Sequence, residues 1–173
     1  WNYTIGGVYK HFSKHGFQTF VISRNMLNNV SYKYPDNDES LNKIFDYKSQ
    51  EIENKLRFEN TYVKGNFRLN YSINTEFVKY NNSTDQQVYY NGSQENINYQ
   101  TDLNFVRYGA SVQISKLYFK DKLSLSFGLR TDANNFSESM QNLFEQLSPR
   151  FSVGYAISEK LKVNGNIGRY YKL

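Results

Sequence analysis

The sequence predicts an all-β fold, an antiparallel up-and-down sheet of about eight strands of the kind that builds a transmembrane β-barrel. Three observations predict it. Apolar and polar residues alternate with a period of two through most of the chain, and a strand sends successive side chains to opposite faces. The connections between alternating segments are short and long in turn. No run approaches the roughly 18 to 20 apolar residues that a membrane helix needs, and mean hydropathy is −0.73. A transmembrane strand needs only every second residue apolar, so a low average fits it.

Two weaker strands open the chain, near 2–12 and 17–24. The alternation is clearest over 51–62, where Glu51, Glu53, Lys55, Arg57, Glu59 and Thr61 oppose Ile52, Asn54, Leu56, Phe58, Asn60 and Tyr62. Phe67, Leu69, Tyr71, Ile73 and Phe77 oppose Arg68, Asn70, Ser72, Asn74 and Glu76. Farther on, Tyr108, Ala110, Val112 and Ile114 oppose Gly109, Ser111, Gln113 and Ser115, and Leu123, Leu125, Phe127 and Leu129 oppose Ser124, Ser126, Gly128 and Arg130. Phe151, Val153 and Tyr155, then Leu161, Val163 and Ile167, complete the set.

Short turns are expected at 14–16, 63–65, 120–122 and 158–160, and long polar loops at 25–49, 81–98 and 131–147. Outer-membrane barrels have short periplasmic turns and longer extracellular loops; a soluble sandwich has no reason to put its long loops at one end. The apolar parity ends in aromatics such as Tyr62, Phe67, Phe77, Tyr155 and Tyr171, as interfacial girdles would. A one-residue slip would turn Lys55 and Arg57 outward, at about 2–4 kcal/mol each near a bilayer midplane. The polar parity is therefore expected to face a wet lumen, with Glu53, Lys55, Arg57, Glu59, Arg68, Glu76 and Arg130 as its charged candidates.

The 173 residues include 16 Tyr, 13 Phe and no Cys, which removes disulfides and thiolate metal sites. The net charge of +5 comes from interleaved acids and bases rather than a basic patch, so no nucleic-acid partner is expected. Glu51, Glu53 and Glu59 alternate with Lys55 and Arg57, which favours charge compensation over acid–base catalysis. His11 and His15 flank the first short turn without a third ligand. Asp36, Asp38 and Glu39 lack the glycine of a calcium loop. No nucleophile triad, phosphate loop or dinucleotide fingerprint assembles, so neither an enzyme nor a cofactor is expected. Tyr89, Tyr90 and Tyr99, in or beside the second long loop, are candidates for ligand contact.

The segment LSPRFSVGYAISEKLKVNGNIGRYYKL, from Leu147 to Leu173, resembles the barrel of TonB-dependent receptors of the Bacteroidetes type. FGLRTDANNFS, from Phe127 to Ser137, looks like the preceding strand and its outer loop. SRNMLNN, NDES and SQEIENKLRFENTY, within 23–62, are similar to an upstream stretch of the same barrel. The resemblance implies about eight strands of a barrel of roughly 22 closed around a plug, located in the bacterial outer membrane. It implies import of a scarce nutrient (siderophore, cobalamin or oligosaccharide) energised through TonB. The implied partners are the remaining strands and plug of the parent receptor, TonB through an N-terminal region, outer-membrane lipid and lipopolysaccharide, with a surface lipoprotein as a further candidate. The chain starts at Trp1 without signal peptide or plug and stops in mid-pattern without a closing strand, so the expectation is one partial barrel domain over 1–173.

Two other architectures fit the alternation. A self-contained eight-stranded outer-membrane barrel would have a structural or adhesive role and fill its interior with side chains. A soluble lipocalin-like barrel would turn the apolar parity inward, around a ligand.

Overall fold

A computed structural model describes residues 1–171. The strands are β1 (Tyr3–Ser13), β2 (Gly16–Lys33), β3 (Phe45–Lys64), β4 (Phe67–Tyr90), β5 (Ser93–Tyr118), β6 (Leu123–Asn134), β7 (Ser148–Ala156) and β8 (Lys162–Gly168). They form one up-and-down sheet in strict chain order. Among the described residues there is no α-helix, only two 3₁₀ turns at Pro35–Asn37 and Glu138–Met140. Among the described residues the order gives β1 and β8 one strand neighbour each. A self-contained eight-stranded barrel would need those two strands to pair.

The four short turns fall where the alternation breaks, at 14–15, 65–66, 119–122 and 157–161. The long connections are shorter than expected, because the strands continue into them. β2 and β3 reduce the first loop from 25–49 to 34–44. The expected loop over 81–98 is a correction: β4 and β5 run through it and meet at a two-residue turn, Asn91-Gly92. Both turn residues have positive φ, 49° and 80°, the requirement of a type I′ hairpin. The polar run of Asn, Ser, Asp and Gln hides these strands because it lacks a consistently apolar parity. Pairing satisfies the backbone all the same.

Contacts divide the chain into two compact units. The first comprises Trp1–Ile5, Ser23–Asn54 and Phe77–Phe105, and contains the 34–44 loop and the Asn91-Gly92 turn. Polar pairs cross its strands: Asn25 Nδ2 donates to Glu53 Oε2 at 3.2 Å, and Gln50 Nε2 to Asn28 Oδ1 at 2.9 Å.

The second unit comprises Gly6–Ile22, Lys55–Glu76 and Val106–Leu173, and contains the four short turns. Its register sorts the two parities onto two faces. Val112, Leu129 and Pro149 align across β5–β7; Ile114, Phe127, Phe151 and Ile167 align across β5–β8. On the opposite parity Ser115, Ser126, Ser152 and Asn166 align, as do Gln113, Gly128, Arg150 and Gly168. Lys116 departs from this, facing Leu125; its Nζ lies 5.0 Å from the Tyr118 ring centre, the posture of a lysine snorkelling along an apolar surface. Aromatic rings continue across β1–β4, with centroid separations of 6.2 Å for Tyr9–Phe20, 4.8 Å for Phe20–Phe58 and 6.0 Å for Phe58–Tyr71.

A conventional core is missing among the described residues, where Val78 and Ala133 are the buried apolar side chains. The large apolar parity stays exposed, Phe127 at 51% and Ile167 at 74%. Folding in water rewards burying such residues. Their ordered display across four strands suits an apolar solvent around them.

Candidate functional site

The site is the charged, hydroxyl-rich parity of the second unit. β3, β4 and β5 bring Lys55, Glu76 and Arg107 together. Lys55 Nζ lies 2.8 Å from Glu76 Oε1, as an ion pair off the hydrogen-bond direction. Arg107 Nη1 donates to Glu76 Oε2 at 3.4 Å. Glu76 is thus a half-buried anion between two cations. Arg57 Nε pairs with Glu59 Oε1 at 3.3 Å, two residues along β3 and on the same face. Arg130 grips both oxygens of Asp132, with Nε–Oδ2 at 2.6 Å and Nη2–Oδ1 at 3.0 Å.

Glycine makes room for that last pair. A Cβ on Gly109 would stand 2.4 Å from Asp132 Oδ1 and 2.9 Å from the Thr131 carbonyl oxygen. Between the charges, Ser72 and Ser111 share a hydrogen bond of 2.8 Å. Ser126 Oγ accepts from Gln113 Nε2 at 2.9 Å and from Ser115 Oγ at 3.0 Å. Partly exposed ion pairs contribute on the order of 0–1 kcal/mol each. The charges therefore define the character of this wall more than its stability.

The sequence candidates divide between several places. Lys55, Arg57, Glu59, Glu76 and Arg130 all stand in these pairs. Glu53 belongs to the first unit, where it accepts from Asn25. Arg68 is exposed near the start of β4. Arg107 and Asp132 are additions. Their signal was available, since Arg107 continues the parity of Gly109 and Ser111, and Asp132 that of Arg130.

Tyr89 and Tyr90 end β4 at the tight hairpin turn and Tyr99 lies farther along β5, so all three are strand residues rather than loop residues. All three are exposed, and Tyr89 Oη donates to Gln94 Oε1 at 3.4 Å. In the first unit a small polar cluster was not foreseen: Asn82 Nδ2 donates to Tyr80 Oη at 3.2 Å and Thr84 Oγ1 to Asn82 Oδ1 at 3.0 Å.

His11 is exposed on β1, and the His15 ring lies 5.8 Å from that of Tyr62. In the 34–44 loop Asp38 accepts from Ser40 Oγ at 2.7 Å and from Ser40 N at 2.9 Å. These two bonds hold its carboxyl below the ordinary aspartate range. Asp38 is thereby committed to shaping its own turn, beside Asp36 with its positive φ of 47°. Among the described residues no group of three His, Asp or Glu side chains is placed to hold a metal ion.

The family described as TonB dependent receptor-like, beta-barrel matches the chain over residues 1–173. A search of curated proteins finds no match. Members of that family are receptors and transporters of the bacterial outer membrane, not enzymes. With the sheet order, the sorted faces and a match over its whole length, the chain belongs to the TonB-dependent receptor β-barrel family.

Proposed function

We propose that this sheet is one stretch of the wall of a barrel of roughly 22 strands closed around a plug, which imports a scarce nutrient of the siderophore, cobalamin or oligosaccharide class. Other strands of the same receptor complete the sheet at β1 and β8, because an unpaired strand edge is untenable in a bilayer. The polar parity, with Glu53, Lys55, Arg57, Glu59, Arg68, Glu76, Arg107 and Arg130, faces the lumen and the plug. Tyr89, Tyr90 and Tyr99 contact ligand on the outer side, where a surface lipoprotein would also dock.

One observation carries this reading: Glu76 sits between Lys55 and Arg107 on one parity, while Phe127 and Ile167 stand exposed on the other. A wall with water and fixed charges inside and lipid outside accounts for both. The test is uptake of labelled siderophore, cobalamin and oligosaccharide by cells that carry the intact receptor, with and without functional TonB. Uptake of one class that stops when TonB is inactivated is the expected result. Uptake indifferent to TonB, or none for any class, would contradict the import reading.

A further inference from the structure

Phe45, Tyr47 and Ser49 share a parity of β3 with Glu53, the face assigned to the lumen. Side-chain bonds tie three strands together there. Asn29 Nδ2 on β2 donates to Ser49 Oγ at 3.4 Å. The Tyr47 hydroxyl is hydrogen-bonded to Ser49, and to Tyr80 and Asn82 on β4. Asn82 in turn donates to Tyr80 at 3.2 Å and accepts from Thr84 at 3.0 Å. Ser49, Asn82 and Thr84 are buried, although none of them is apolar. Beside this cluster Phe45 and Tyr47 set two half-buried rings parallel, with centroids 6.3 Å apart and planes 3° from each other. All of these residues lie in the first unit.

The face offers rings, hydroxyls and carboxamides but few charges. Among the described residues that alternation puts on it in the first unit, the acids are Glu51, Glu53 and Glu95, and the cation is Lys33 at the end of β2. That balance selects by charge. Ferric complexes of catecholate siderophores and the phosphate of cobalamin are anionic, and anions of that kind are held by several Arg or Lys donors. A neutral sugar needs no such donors. Its hydroxyls both donate and accept, as carboxamides and hydroxyls do, and the C–H face of its ring meets the negative face of an aromatic ring. Aromatic surface with a few placed polar groups is the usual composition of a small-molecule site.

We infer that Phe45 and Tyr47, with the hydroxyls and amides of Tyr80 and Asn82 beside them, form a subsite for a neutral oligosaccharide, so that the receptor takes a carbohydrate rather than a siderophore or cobalamin. The inference rests on the import reading and narrows its three substrate classes to one.

The experiment is isothermal titration calorimetry of the intact receptor in detergent with neutral hexasaccharides of glucose, xylose and mannose, a ferric catecholate siderophore and cyanocobalamin. Wild type is expected to bind one of the hexasaccharides and neither of the other ligands. Phe45→Ala removes half of the ring pair and should weaken that binding about five- to tenfold. Tyr47→Phe keeps both rings and loses one hydroxyl, so a loss of a few-fold is expected, and this variant decides the matter if Phe45→Ala misfolds. Hexasaccharide binding unchanged in both variants would overturn the subsite. Binding of the siderophore or cobalamin instead, or of none of the ligands, would overturn the carbohydrate assignment. TonB-dependent uptake of a siderophore would do the same while leaving import standing. Variant-sensitive hexasaccharide binding in a receptor whose uptake ignores TonB would support the subsite and contradict import alone.

Discussion

Replacing Phe127 by Arg is expected to destabilise the receptor barrel by about 2–4 kcal/mol, while Ser126→Arg next to it changes stability by only about 0.5 kcal/mol. The two positions are neighbours on β6 and differ in parity. Phe127 aligns with Ile114 and Phe151, and is half exposed among apolar side chains. It lies four residues beyond Leu123, where β6 leaves its short turn. At roughly 3.3 Å per residue that is about 13 Å along the strand, and about 10 Å in height once the strand tilts by about 40°. An apolar band about 25 Å tall has its middle near that height. A guanidinium at Phe127 would have lipid around it and no acceptor on its own face. At Ser126 it would find Gln113, Ser115 and Ser152. Urea titration of the receptor folded into phospholipid vesicles measures both. Equal losses at the two positions would mean that the faces are not distinguished by lipid.

Gly16→Ala is expected to cost about 3 kcal/mol, against about 1–2 kcal/mol for Gly65→Ala. Gly16 opens β2 with a φ of 147°, and a Cβ there would stand 1.8 Å from the carbonyl oxygen of Thr61 and 2.8 Å from its carbonyl carbon. Those atoms belong to the backbone of β3 and have no rotamer to change. The only relief is to move the strand or the turn. That would disturb the bond from Val63 N to His15 O, 2.6 Å long, which docks the first turn on β3. Gly65 also has positive φ, 57°, but nothing within 4 Å of its missing side chain, so it carries the conformational cost alone. Urea midpoints give the two losses, and hydrogen exchange at Val63 locates the first. Equal losses would show that the clash is relieved without moving β3.

Much of this was legible in the sequence where solvent differs between the faces. Over 51–62, 67–77 and the paired parts of β5–β8 the contrast between the two faces imposes a period of two, which the strands follow although Lys116 departs from it. Over 81–98 both faces are largely polar. The alternation then carries no signal, so the sequence predicts a loop there although β4 and β5 run through it. The Asn-Gly pair at 91–92 was the local sign that the hairpin continues. Arg107 and Asp132 follow from extending a parity by one step. The double partnership of Glu76 does not, because alternation specifies a face but leaves pairing free to shift by two residues. Nothing in the spacing of Lys55, Glu76 and Arg107 says that three strands align them.

The most direct test of the two-faced wall is cysteine accessibility along β6. The chain has no native cysteine. Single cysteines at Ser124, Ser126 and Gly128, and at Leu125, Phe127 and Leu129, can each be exposed to a small hydrophilic maleimide in outer-membrane vesicles containing the intact receptor. Labelling is predicted to alternate, with the serine and glycine positions reactive and the apolar positions protected. Uniform labelling, or protection at the serines with reaction at Phe127, would contradict a sheet with lipid on one face and water on the other.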